Sequence, residues 1–252
     1  MIRKKAARVV TWPMMLVGVL LLGPMIALAF GKASLGGDWW RATHRPTGLA
    51  PPAEAHAGAV VQAYAARTFG WRGAFAVHTW IAAKPAGADR YTRYEVIGWQ
   101  ARGGNSAVSI SDARAPDAEW YGAAPEVIRE LRGADAEAVI ARLDAAAATY
   151  PYATTYSAWP GPNSNTFVAH LAREIPEMRL ALPAHAVGKD YLSPGRLVAR
   201  SPSGTGAQLS LNGLLGVIVG GDEGFELNVL GLVVGVDPLR PALKVPGFGA
   251  LP

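Results

Sequence analysis

The sequence predicts an α+β domain, an antiparallel sheet with packed helices, carried behind one hydrophobic N-terminal helix. Three observations predict it. Strand-like runs joined by turn residues fill 59–111, segments of helical period occupy 125–175, and residues 12–30 form an uncharged apolar stretch.

The stretch WPMMLVGVLLLGPMIALAF (12–30) has 19 residues, close to the roughly 20 that a helix needs to cross about 30 Å of hydrocarbon. Arg3, Lys4, Lys5 and Arg8 precede it, so residues 1–11 read as a basic cytoplasmic leader and the rest as exported. Ala27-Leu28-Ala29 offers a signal-peptidase site, but the apolar run is long for a cleaved signal and favours an anchor. The expected location is therefore the inner (cytoplasmic) membrane, single-pass, with the globular part in the periplasm or outside. Residues 31–57, rich in Gly, Pro and Ala, read as a linker, and 58–252 as the globular domain.

Within the domain, AVVQAYAA (59–66) is short and apolar, a strand or a brief helix. FAVHTWIAA (75–83) and RYTRYEVIGW (90–99) flank KPAGAD and predict a hairpin, with NSAVSIS (105–111) as a further strand. Pro125 at a first helical position predicts a helix over PEVIRELRG, with Gly133 as its stop. Asp135 then caps a second helix that turns Val139, Ile140 and Leu143 inward. SAWPGPN (157–163) is a rigid loop, and Asn163 caps a helix carrying Phe167, Val168, Leu171 and Ile175 on one stripe. Residues 208–239 read as one apolar β-hairpin turning at GGDEG, its arms too short to span a membrane as helices. Buried sheet strands are expected there rather than membrane contact.

Composition excludes several classes. The net charge of +5 comes largely from the leader, leaving 20 basic against 19 acidic side chains and no basic block, so nucleic acid is not an expected partner. With 0 cysteines the chain has no disulfide, thiolate metal site or cysteine nucleophile. His44, His56, His170 and His185 are scattered without metal spacing, and the Gly-rich stretches lack a nucleotide-fold context, so no metal or cofactor is expected.

Three residues carry chemistry. Ser164 opens a helix, where free N–H groups and the helix dipole can serve a nucleophile and an oxyanion; Ser and Asn also crowd such positions simply as caps. His78 lies on an apolar strand, which suits a general base or a buried structural histidine. Glu95, on the next strand, is expected opposite His78 and could orient its ring or face solvent. Asn163, Asn165, Trp80 and Trp159 are the candidate substrate contacts, part of an aromatic set with Trp71 and Trp99 that could equally be core. Lys189 and Asp190 could contribute charge to a site, but a surface turn fits them better.

The strings FGWRGAFAVHTWIAAKP, YEVIGW, YPYATTYSAWPGPNSNTFVAHLAREIPE and VGKDYLSPG resemble the bacterial family of unknown function DUF3750, from about residue 40 to the C-terminus. AVHTWI and Asn163-Ser164-Asn165-Thr166-Phe167-Val168 also resemble circularly permuted papain-like proteins, the permuted NlpC-type peptidases and the lecithin retinol acyltransferase group. That resemblance implies a His on an early strand, a nucleophile opening a later helix with Ser164 where cysteine would stand, and Glu95 as third member. It implies acyl transfer or hydrolysis of an amide or ester in envelope peptide, glycan or lipid. The other expectation is a non-catalytic binding module on the same scaffold. A serine hydroxyl is a far weaker nucleophile than a thiolate and needs an aligned base and an oxyanion site.

Overall fold

The computed structural model describes residues 2–33 and 36–251, with side chains from Met15 onward except Leu16. The chain forms two antiparallel sheets. The first contains β1 (Val60–Arg67), β2 (Val77–Lys84), β3 (Thr92–Val96), β4 (Val108–Ser111) and β5 (Glu126–Arg132), in the order β4-β3-β2-β1-β5. Helices α2 (Gly133–Ala148) and α3 (Ser164–Glu174) pack on one face, where Val61, Ile81, Val139, Leu143, Phe167 and Leu171 form the main core. Loops cover the other face around Val60, Tyr64, Trp80, Tyr91 and Trp120. With both faces covered, β1 and β2 are buried almost throughout, which is why their sequences lack clear alternation.

The expected hairpin forms, but its register differs from expectation. Ile81 pairs with Tyr94 and Ala83 with Thr92, and the strands part before His78, so Glu95 meets that residue diagonally rather than directly opposite. The helix expected over PEVIRELRG is strand β5. Its residues are fair helix formers, yet intrinsic propensity is a weak force. The long edge of buried β1 needs backbone partners, and β5 supplies them from Val60 opposite Arg132 to Ala65 opposite Glu126. Gly133, with φ of 59°, lets the chain turn directly from β5 into α2. The expected linker is also tied down in its second half: Thr47, Leu49 and Ala50 donate backbone N–H bonds to Asp117, and Tyr91 donates its hydroxyl to Pro51 O.

Residues 208–239 make four strands rather than two. The second sheet has the order β12-β11-β10-β9-β8-β7-β6, formed by β6 (Val198–Arg200), β7 (Gly206–Leu211), β8 (Leu215–Gly220), β9 (Gly224–Val229), β10 (Leu232–Asp237), β11 (Ala242–Val245) and β12 (Gly249–Leu251). Each expected arm folds on itself at a glycine turn, Asn212-Gly213 with φ of 49° and 69° and Leu230-Gly231 with 55° and 80°. Positive φ at both central residues suits the twist of a tight hairpin.

The polarity of this sheet is inverted. Gln208, Ser210, Glu226 and Asn228 point inward and are buried. Outward lie cross-strand rows: Leu209, Val217, Leu227 and Val234 in one, Leu211, Leu215, Val229 and Leu232 in the next. A third runs Ala207, Val219, Phe225, Val236, Leu243 and Leu251. The inward groups surround Lys189, which is 1% exposed rather than on a surface turn. Its ammonium binds Glu226 and lies 3.3 Å from Asp190 Oδ1, while Asp190 accepts from Gln208 Nε2 (2.8 Å) and Asn228 Nδ2 (2.7 Å). A buried charge is tolerated only when so paired.

Helix α1 (Ile2–Ala29) covers the expected spanning segment, the first residues of which lie outside the described side chains. Among the described residues no helix is long and apolar enough to cross a membrane. Leu20 and Ala27 are buried, and Gly23 packs so closely on Pro246 O and Val245 Cγ1 that a Cβ there would lie 1.8 and 2.8 Å from them. Val17, Val19, Leu22 and Met25 on the remaining faces are exposed.

Removing the central ammonium leaves Asp190 buried without its ion-pair partner, while Glu226 keeps Lys244. Lys189→Met is expected to lower unfolding stability by about 3–5 kcal/mol in a urea titration followed by near-UV circular dichroism. An unshifted midpoint would mean that water reaches this cluster.

Candidate active site

The site is built where α3 docks end-on against β2. On β2 the residues Val77 and Ile81 face the helices, while His78, Trp80 and Ala82 face the opposite side. The helix start is held by its two asparagines. Asn163 Oδ1 accepts from the backbone N–H groups of Asn165 (3.0 Å) and Thr166 (3.3 Å), and Thr166 Oγ1 accepts from Asn163 N (3.1 Å), a complete capping box. Asn163 Nδ2 donates to Ala158 O and Val187 O. Asn165 Nδ2 donates to Val77 O (2.9 Å) and Val187 O (2.7 Å), and its Oδ1 accepts from Thr79 Oγ1 (2.9 Å). The backbone must come close for this: a Cβ at Gly188, whose φ is 100°, would lie 2.4 Å from the Asn163 amide.

Both asparagine side chains are thus consumed in positioning Ser164 beside the strand residues that flank His78. Both residues nonetheless line the cleft, so their polar side chains are committed to the scaffold while their surfaces stay available to a bound molecule. Ser164 is the first residue of α3, and among the described residues neither its hydroxyl nor its backbone N–H has a hydrogen-bond partner. The N–H sits at the positive end of the helix dipole.

His78 is 5% exposed. Its ring lies flat on Trp120, centroids 3.5 Å apart and planes at 6°, and its Nε2 is 3.1 Å from Glu95 Oε2. Arg93 Nη2 donates to the same oxygen (2.9 Å). Burial would raise the Glu95 carboxyl, but the bond to His78 and the charge of Arg93 outweigh it and bring the group down to about 2. Burial pushes His78 below the ordinary histidine value, with the Glu95 bond opposing. At neutral pH the pair is carboxylate and neutral imidazole, so Nε2 carries the proton donated to Glu95. That leaves Nδ1 as the basic atom, and among the described residues nothing is bonded to it. Among the described residues no hydrogen bond joins Ser164 to His78; such bonds are often long in a free enzyme and shorten with substrate.

His78, Ser164 and Asn165 line one cleft of about 1540 Å³. Trp71, Phe75, Trp99, Tyr121, Tyr156 and Trp159 make it aromatic, and Leu230 and Leu232 of the second sheet close one side. Trp159 is 54% exposed and donates its indole N–H to Leu230 O (2.8 Å). Trp80 does not reach the cleft. It is wholly buried, stacked on Tyr64 (5.3 Å) and covered by the Arg93 guanidinium (4.4 Å), so it is a core residue and not a substrate contact. Arg93 and Trp120 are the functional neighbours that sequence reading missed. Arg93 stands two positions before Glu95 on the same strand face, a signal the strand period carries. Trp120 comes from a loop, and no spacing ties it to His78.

An α+β protein of two antiparallel sheets, with an aromatic cleft lined by Ser164 and His78 and a buried Glu95 behind the imidazole, is the class that these features define. A model of the family DUF3750, described as a protein of unknown function, matches residues 58–191, and the chain belongs to that family. The matched region holds His78, Glu95 and Ser164 but ends before the second sheet, short of the C-terminus to which the sequence resemblance extended. No curated protein and no solved structure matches the chain.

A second buried histidine makes the fold sensitive to acid. Burial, with Arg67 and Lys32 nearby, takes His185 down to about 3, and among the described residues its Nδ1 has no partner. Its stabilising share is complete above the unfolded value near 6.5 and is lost as pH falls, because the unfolded chain takes up the proton first. Unfolding stability is therefore expected to drop by about 1.4 kcal/mol per pH unit for this group below that value. Urea titrations at pH 6 and 5 check it, and His185→Gln should remove that part of the slope.

Proposed function

We propose that this chain is a single-pass protein of the cytoplasmic membrane whose globular part faces the periplasm or the outside. Its cleft hydrolyses or transfers an acyl group held in ester or amide linkage, using a permuted papain-like arrangement with serine in place of cysteine. The basic leader and the apolar segment behind it support the location. The observation that carries the chemistry is the shared cleft, lined both by the unbonded Ser164 hydroxyl at the start of α3 and by His78, whose far nitrogen is bonded to Glu95.

In this reading His78 Nδ1 removes the Ser164 proton while Oγ attacks the acyl carbonyl. The carbonyl oxygen becomes an oxyanion facing the Ser164 N–H at the start of α3. Collapse breaks the bond to the leaving oxygen or nitrogen, which takes the proton from His78. Water or an acceptor hydroxyl or amine then releases the acyl group by the reverse proton path. Glu95, fixed by Arg93, holds the ring and stabilises the imidazolium that forms. The aromatic walls favour an apolar substrate, so among envelope components a lipid or an acylated peptide suits them better than a bare glycan.

A second reading, a non-catalytic binding module, is favoured by the missing hydrogen bond between Ser164 and His78. One experiment separates the two. The purified protein is expected to react with a fluorophosphonate probe, with Ser164→Ala unlabelled and Glu95→Gln slower by about 10³-fold, since an amide would favour the wrong tautomer. Absent labelling, combined with quenching of the cleft tryptophans by a nitroxide fatty acid, would leave the binding module.

A further inference from the structure

We infer that the outward face of the second sheet is a membrane-docking surface, seated in the acyl region of the leaflet from which α1 emerges. It rests on the anchoring proposed above and not on the chemistry of the cleft.

A sheet covered on one side ordinarily turns apolar residues to the covered side and polar residues to water. Here the order is reversed. Among the outward positions of β6 to β12 the single charged residue is Arg200, on the edge strand β6, whereas the inward positions carry Gln208, Glu226, Asn228 and Lys244. Leu209, Leu215, Val219, Phe225 and Leu243 are 46–59% exposed. By strand spacing and rise the face covers on the order of 600 Å², at the upper end of the apolar patches that soluble monomers expose.

What covers this face is indicated by α1. The helix meets the sheet at Val245, which shares the outward side with Leu243, and Gly23 packs against its Cγ1. On the faces of α1 turned away from that contact, Val19, Leu22 and Met25 are apolar and exposed as well. A second copy seated on the sheet would leave those helix residues in water. One apolar medium covers both, and a bilayer is that medium. The cleft adjoins the same sheet through Leu230 and Leu232, so a lipid substrate need not cross water to enter.

The chain has 0 cysteines, which makes single-site labelling direct. The full chain, reconstituted in phosphatidylcholine–phosphatidylglycerol vesicles, is labelled with nitrobenzoxadiazole at Leu209→Cys, Phe225→Cys, Leu21→Cys and, as a water-exposed reference, Asp89→Cys. Lipids carrying a nitroxide on the acyl chain should quench the Leu209 and Phe225 labels by at least about twofold, and aqueous iodide should not. The Asp89 label should behave in the opposite way. Iodide quenching at Leu209 and Phe225 would overturn the inference. So would protection from both quenchers with energy transfer between copies, which would assign the face to a second chain. The Leu21 label reports the anchor separately: lipid quenching there with water-exposed sheet labels would sink the docking surface and leave the anchor standing, and iodide quenching at all three would sink both.

Discussion

The arrangement of this molecule depends on one buried cation. The Lys189 ammonium lies between Asp190 and Glu226, and around it Gln208 and Asn228 satisfy the remaining acceptor positions of Asp190. Arg173, from α3, adds a bond to Gln208 Oε1 (2.6 Å). The second sheet is thus attached to the helical body by charge and hydrogen bonds where most layered folds use hydrocarbon. Once the polar groups of β7 and β9 are committed inward, the alternation of a strand forces their apolar neighbours outward. Hydrocarbon faces outward on this sheet because polarity is needed at its centre.

The corner around Ser164 and His78 is organised in the same manner, most of its polar groups being committed to one another, although among the described residues the buried Arg93 Nε has no partner. Asn163 and Asn165 commit their side chains to backbone atoms and the Thr79 hydroxyl, Arg93 and His78 converge on Glu95, and Trp120 supports the imidazole face. Ser164, with its unbonded hydroxyl and N–H, and His78, with an unbonded ring nitrogen, line the aromatic cleft. Such preorganisation limits the reorganisation a reaction would require.

How legible this was in the sequence depends on the range of the forces involved. Helix α3 and its cap could be read from Asn163 to Ile175 because capping and the apolar stripe are local properties. The first hairpin was legible for the same reason. Strand β5 was not, since EVIRELR becomes a strand only because β1 presents an open edge more than 60 residues earlier in the chain. The four C-terminal strands were compressed into two because the Asn212-Gly213 and Leu230-Gly231 turns are set in unbroken apolar runs. Their outward aspect was illegible: the inward partner, Lys189, looks in isolation like part of a surface turn. Within the site, His78, Glu95 and Ser164 could be nominated by residue type and order, whereas the burial of Trp80 and the stacking of Trp120 follow from tertiary packing alone.

The indole of Trp159 has a mechanical consequence. Its bond to Leu230 O links the proline-rich loop before α3 to the turn between β9 and β10. That bond ties the loop wall of the cleft to the wall formed by Leu230 and Leu232 of the second sheet. The width of the cleft beside Ser164 is therefore linked to the position of the β9–β10 turn, and through it to the second sheet, rather than to the strand that carries His78.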